Sequence, residues 1–225
     1  MTTPAQDGPR VLPQTVFLNG GSVPGLGRVL AGNHADPDAP ARAGRGSGID
    51  AELQLGEPVV AWSGWLGEQP ASGDGLWAAS PETWGPAGMA AFPLVVEHLT
   101  ERSRVAPILR PHARHLLCDP QRCLALLNGD GPRFRLLLDP VAMLTPEMLP
   151  QAEDHLVRSV EALGGRAETV GVLLSGAVEV DDPRLSGPEL RLLPHGHQDS
   201  ALDTGLVERI VGSANAPVWR LVAGG

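Results

Sequence analysis

The residues that could do chemistry sit in three short stretches. Arg110 leads into His112-x-x-His115, Asp139 closes an apolar run, and His195-x-His197 with Asp199 comes late in the chain. Imidazoles and carboxylates are ligand types that a divalent metal takes, so a site built from His112, Asp139 and His195 is one reading. Their spacing is not diagnostic, and histidines at the surface or against a substrate are the stronger alternative. A metal-free reading pairs His112 with Asp139 as general acid and base. Trp62, Trp65, Trp77 and Trp84 gather around one connection. They either stack on the apolar face of a sugar, Trp62 and Trp65 being the better placed, or cap the site or meet a neighbouring subunit. Ser175-Gly176 has no G-x-S-x-G elbow around it, which argues against a serine hydrolase.

The elements that must position these residues read most clearly from residue 49 onward. A helix end over 49–55 closes at Gly56 and leads into an apolar strand over 58–62. A helix over 81–103 follows, with Pro93 predicting a kink or break. A strand over 106–110 carries Arg110 at its end. Asp119 and Pro120 have the chemistry of an N-cap and first helical position for a helix over 119–127. A strand over 134–138 ends at Asp139. Thr145 and Pro146 open a helix over 145–163 that Gly164-Gly165 stops. A strand over 170–174, a helix over 200–211 and a strand over 217–222 complete the series. Glu179, Asp181 and Asp182 read as a solvated loop. Glu147, Glu153, Asp154 and Glu161 read as the outer face of their helix. Before residue 49 only 15–18 and 28–31 suggest strands, and 36–48 has turn chemistry without a period. Alternation of this kind predicts parallel βαβ units with right-handed crossovers, and no glycine-rich phosphate loop follows any strand.

Composition narrows the function classes. The chain of 225 residues is 42% hydrophobic, enough for a real core and of single-domain size. A net charge of −9 with all 17 basic residues arginine, none of them clustered, argues against nucleic acid as a partner. No apolar run is long enough to span a bilayer. The first ten residues lack the apolar core of a secretory leader, so a reducing, cytoplasmic setting is expected. There Cys118 and Cys123 are packing residues rather than a disulfide or reactive thiols.

Four pieces, in this order, carry a resemblance: Leu55-Gly56-Glu57-Pro58-Val59-Val60, Ile108-Leu109-Arg110-Pro111-His112, Leu137-Leu138-Asp139-Pro140 and Leu193-Pro194-His195-Gly196-His197. From about residue 49 the chain resembles the sugar isomerases and epimerases of the xylose-isomerase-like TIM-barrel superfamily. The resemblance implies one domain over 1–225, a TIM-type (β/α) barrel incomplete or irregular over residues 1–48. It also implies a divalent metal at the mouth, held by a Glu, an Asp, two His and a second Glu from the later strands. Only Asp139 matches that set. Arg110 stands at the first Glu position, Ala142 at the His after the Asp, and Leu173-Leu174 at the next His. The last strand, 219–223, has no acid.

Loss of those ligands implies loss of the metal and of metal-dependent catalysis, with no cofactor expected. A guanidinium ending one strand could take the vacated cation position and pair with the carboxylate ending the next, so an Arg110–Asp139 ion pair is expected. The leading expectation is a divergent isomerase-like barrel, possible as a homo-oligomer, that binds a small carbohydrate-like ligand. Arg110, His115, His195, His197, Trp62 and Trp65 would line its pocket, with His112 and Asp139 as the reacting pair if it is active. The alternatives are an active isomerase or epimerase with a rearranged site, and a non-catalytic partner-binding module.

Overall fold

Apolar runs that end in charged or aromatic residues become parallel strands laid side by side in chain order. The computed structural model describes residues 8–13, 21–30, 56–66, 80–181 and 187–223. The strands are β1 (Arg10–Pro13), β2 (Gly21–Val23), β3 (Gly27–Val29), β4 (Val59–Trp62), β5 (Ile108–Arg110), β6 (Arg135–Leu138), β7 (Thr169–Leu174), β8 (Gly176–Val180), β9 (Glu189–Leu193) and β10 (Val218–Val222). Four α-helices lie among the described residues: α1 (Pro86–Ser103), α2 (Pro120–Leu127), α3 (Ala152–Leu163) and α4 (Thr204–Val211). Eight strands form one sheet in the order β1-β10-β7-β6-β5-β4-β3-β2, and β8 and β9 make a separate hairpin.

The expected eight-fold (β/α) barrel is not what forms. The sheet curls into a nearly closed barrel of mixed strands, and the four α-helices among the described residues are too few to alternate with them. Only three residues separate β2 from β3, and the pair is antiparallel. Seven separate β1 from β2. A parallel crossover needs a dozen residues or more, and neither connection is that long. Gly27 has φ +101°, and a Cβ there would lie 1.9 Å from the Pro58 carbonyl oxygen, so only glycine admits this close pairing with β4. The remaining strands are parallel, including β1 against β10.

Side-chain alternation then sorts two cores. Leu12, Val23, Val29, Val60, Ile108, Leu137, Leu173 and Trp219, one from each strand, fill the barrel. Their neighbours Ala61, Leu109, Leu138 and Leu174 face outward into a second core beneath the helices.

Several local expectations shift. α1 runs unbroken through Pro93, which lies towards the exposed Met89 side, where a freed carbonyl can turn to water. The helix expected over 145–163 divides into a 3₁₀ segment, Pro146–Gln151, and α3. Pro150 has no N–H to donate at that junction. α4 begins later than expected, capped by Asp203, which accepts from Leu206 N–H at 2.7 Å. Of the acidic stretch after β7, Glu179 lies in β8 and pairs within the β8–β9 hairpin, whose Ala177 and Leu190 are buried. The expectations for 15–18, 36–48, 49–55, Ala31, Trp77 and Asp182 fall outside the described residues.

Candidate functional site

Trp62, Arg110, Asp139 and Ser175 continue the inward-facing rows of β4, β5, β6 and β7 by one step, beyond Val60, Ile108, Leu137 and Leu173. Adjacent strands thus deliver an indole, a guanidinium, a carboxylate and a hydroxyl to the same end of the barrel. Trp62 and Arg110 are direct cross-strand partners. Arg110 Nη2 lies 2.5 Å from Asp139 Oδ2, and both side chains are buried. The expected ion pair is therefore present. Ser175 Oγ donates to Asp139 Oδ1 at 2.7 Å, and Ala142 N–H donates to the same oxygen at 3.2 Å. Burial lowers the Arg110 pKa and Asp139 opposes that shift; a guanidinium stays charged regardless.

An aromatic shell closes over the pair. The Arg110 guanidinium carbon lies 4.1 Å from the Trp62 ring centre, within cation–π range. Trp62 meets His112 and His115 edge to face at 5.5 and 5.1 Å, and Trp65 stacks on His115 at 5.0 Å. The two imidazoles are 4.8 Å apart. His112 Nδ1 accepts the Arg114 backbone N–H at 3.1 Å, which puts the proton of the neutral ring on Nε2. Burial, and then the charges of Arg110 and Arg114, hold the His112 pKa down to about 3. His115 is held well below its ordinary value by burial, His112 and Arg110.

The loop carrying both histidines is fixed from every side. Leu116 N–H bonds to the Gly64 carbonyl, Leu117 N–H to Ser63 Oγ, and Ala113 N–H to the Ala142 carbonyl. Trp84 Nε1 donates to the Ala113 carbonyl at 3.3 Å. Arg114 pairs with Glu189 of β9, which ties the hairpin to the loop.

His195 and His197 do not join this cluster. His195 Nε2 is 3.0 Å from Glu208 of α4, which Arg220 also reaches at 3.2 Å. Arg220 alternates with the inward Trp219 and Leu221, so this group belongs to the outer side of the sheet. His197 Nδ1 accepts from Asp199 N–H. His112, Asp139 and His195 are thus not brought together, and among the described residues no three His, Cys, Asp or Glu side chains converge on a point. Both Asp139 oxygens already accept hydrogen bonds, one of them from a cation, and His112 Nδ1 is engaged.

Ser63 and Glu189 are participants that sequence reasoning missed, and Ser175 was weighed only as a hydrolase nucleophile and not as a partner of Asp139. Ser175 could have been found by parity, since it lies two residues beyond the inward Leu173. Nothing local marks Glu189, whose partner is 75 residues away in the chain. Comparison with protein-family models, curated proteins and solved structures finds no match to the chain.

Cys118 and Cys123 are both free thiols. Cys118 donates to Asp119 Oδ2 at 3.3 Å, and burial with that carboxylate pushes its pKa up to about 12. Cys123 is raised too, by burial first. The thiolate is the reactive form, so neither should react with a disulfide reagent at pH 8 until urea unfolds the chain. Rapid native labelling would contradict this.

Proposed function

We propose that the protein is a non-catalytic barrel that binds a small polyol- or sugar-like molecule at its strand ends, with Arg110 standing in for a metal. The ion pair with Asp139 carries this reading, because it supplies internally the positive charge that a carboxylate at this position would otherwise take from a cation. The electrostatics also speak against turnover by His112 with Asp139. General bases work best with a pKa near the operating pH, and an imidazole near 3 is far from it. Trp62 and His112 retain slight exposure, 6% and 5%, and are the places where a ligand would first touch the cluster.

Two measurements test the reading together. Elemental analysis after dialysis against Mn²⁺, Zn²⁺ and Mg²⁺ should find no stoichiometric metal. Saturation-transfer NMR with pentoses, hexoses and their polyols should find a saturable contact that Trp62→Leu removes. Stoichiometric metal that disappears in Asp139→Ala would replace this reading with a metal-dependent isomerase.

The near-complete burial of Trp65, Arg110, His115, Asp139 and Ser175 favours a second reading, a partner-binding module whose cluster only locks its loops. Failure of every sugar and polyol to bind would leave that one standing. Two free thiols agree with a reducing, cytoplasmic setting. No helix among the described residues is long and apolar enough to cross a membrane.

A further inference from the structure

A separate groove of about 300 Å³ opens on the outer face of the barrel, between α2, α3 and the turns after β6. Its lining is apolar along Leu124, Met143, Leu144, Met148 and Ala162. The polar groups at its edge are unequal. Asp119 is already spent as the cap of α2, accepting from Arg122 N–H at 2.8 Å, and Ser159 Oγ donates to the His155 carbonyl within its own helix. Arg158 is mostly exposed and, among the described residues, holds a surface pair with Asp154, one turn earlier. Such a pair contributes little and exchanges readily for another carboxylate.

We infer that this groove binds a medium-chain monocarboxylate, with its alkyl chain along Leu124, Met143, Met148 and Ala162 and its carboxylate at Arg158. A volume of about 300 Å³ lies at the small end of the range that ligand pockets occupy, which suits a short or medium alkyl chain such as octanoate better than a long one. Two methionines suit a flexible chain, since their thioethers adapt to irregular apolar shapes. The groove is independent of the ligand proposed for the strand ends, and none of its lining residues belongs to the Arg110 cluster.

The chain has four methionines, so ¹³C-methyl labelling reads the site directly. Octanoate added below its micelle concentration should shift the Met143 and Met148 methyls saturably and leave Met89 still. Octanol should bind about threefold more weakly and octylamine more weakly again. Arg158→Gln should abolish the preference for octanoate over octanol, and Ala162→Phe should weaken both by tenfold or more. Arg158 is a surface position, so its variant remains informative even if Ala162→Phe fails to fold. Unmoved Met143 and Met148 methyls, equal shifts at all methionines, equal binding of the acid and the alcohol, or indifference to a folded Ala162→Phe would each overturn the assignment.

Discussion

Asp139→Ala should cost about 3–5 kcal/mol of unfolding free energy, because it removes the buried carboxylate with which Arg110 pairs in the protein interior. Arg110 is 2% exposed and Asp139 fully buried, so water cannot take the carboxylate's place without opening the barrel end. The same change leaves Ser175 Oγ and Ala142 N–H without their acceptor, which adds to the loss. For a chain of this length the melting temperature should fall by roughly 6–20 °C. Removing both charges together is a different matter. Arg110→Met with Asp139→Leu leaves no orphaned ion and should recover most of the loss, since well-packed apolar replacements of a buried pair are often neutral. Urea unfolding of the three variants reads this directly. A loss under 1 kcal/mol in Asp139→Ala would mean that the pair is not buried in solution as it is here. The pair should also resist screening, so 0.5 M salt should change the difference little.

Acid should unfold the protein well above the pH at which carboxylates alone would. His112 and His115 are neutral when folded and take up protons when unfolded, so between pH 6.5 and about 3 the unfolded chain binds more protons. Stability therefore falls as pH falls through this window. Two such groups give a slope of about 2.7 kcal/mol per pH unit once both titrate in the unfolded chain. Domains have total stabilities of about 5–15 kcal/mol, so cooperative unfolding is expected by about pH 4. His115→Phe keeps a ring to stack on Trp65 and should halve the slope, because only His112 then contributes. Urea titrations at pH 7, 6, 5 and 4.5 supply the comparison. Equal slopes in the two proteins would show that the His115 imidazole is not held neutral.

The part of the fold that was legible is the part whose boundaries are made locally. Asp119 with Pro120, and the paired glycines at 164–165, mark helix ends by backbone chemistry that needs no partner. The strands ending at Arg110 and Asp139 are apolar on both faces, as buried parallel strands must be. Their adjacency was enough to anticipate the ion pair. Illegible elements are those that long-range pairing creates. β1 is four residues ending in proline and becomes a strand only because β10 offers it an edge. The hairpin carries Glu179, which reads as part of a solvated loop, and Glu189, which nothing local marks until Arg114 pairs with it across 75 residues. His112 and His115 have residue types that suggest reactivity. It is burial, a tertiary property, that makes them neutral packing groups, and their spacing could not show it.

The pairing of β1 with β10 joins segments about two hundred residues apart in the chain, the costliest kind of contact to close. It also sets a clock during synthesis. β4 to β7 can assemble in the order in which they leave the ribosome, each beside the last. β1 precedes them in the chain, and among the described strands its sheet partner is β10, so Leu12 stays unburied until about two hundred further residues have been made. Shielding that strand on the nascent chain is thus a task the topology passes to the cell, and slowing translation would lengthen the exposure.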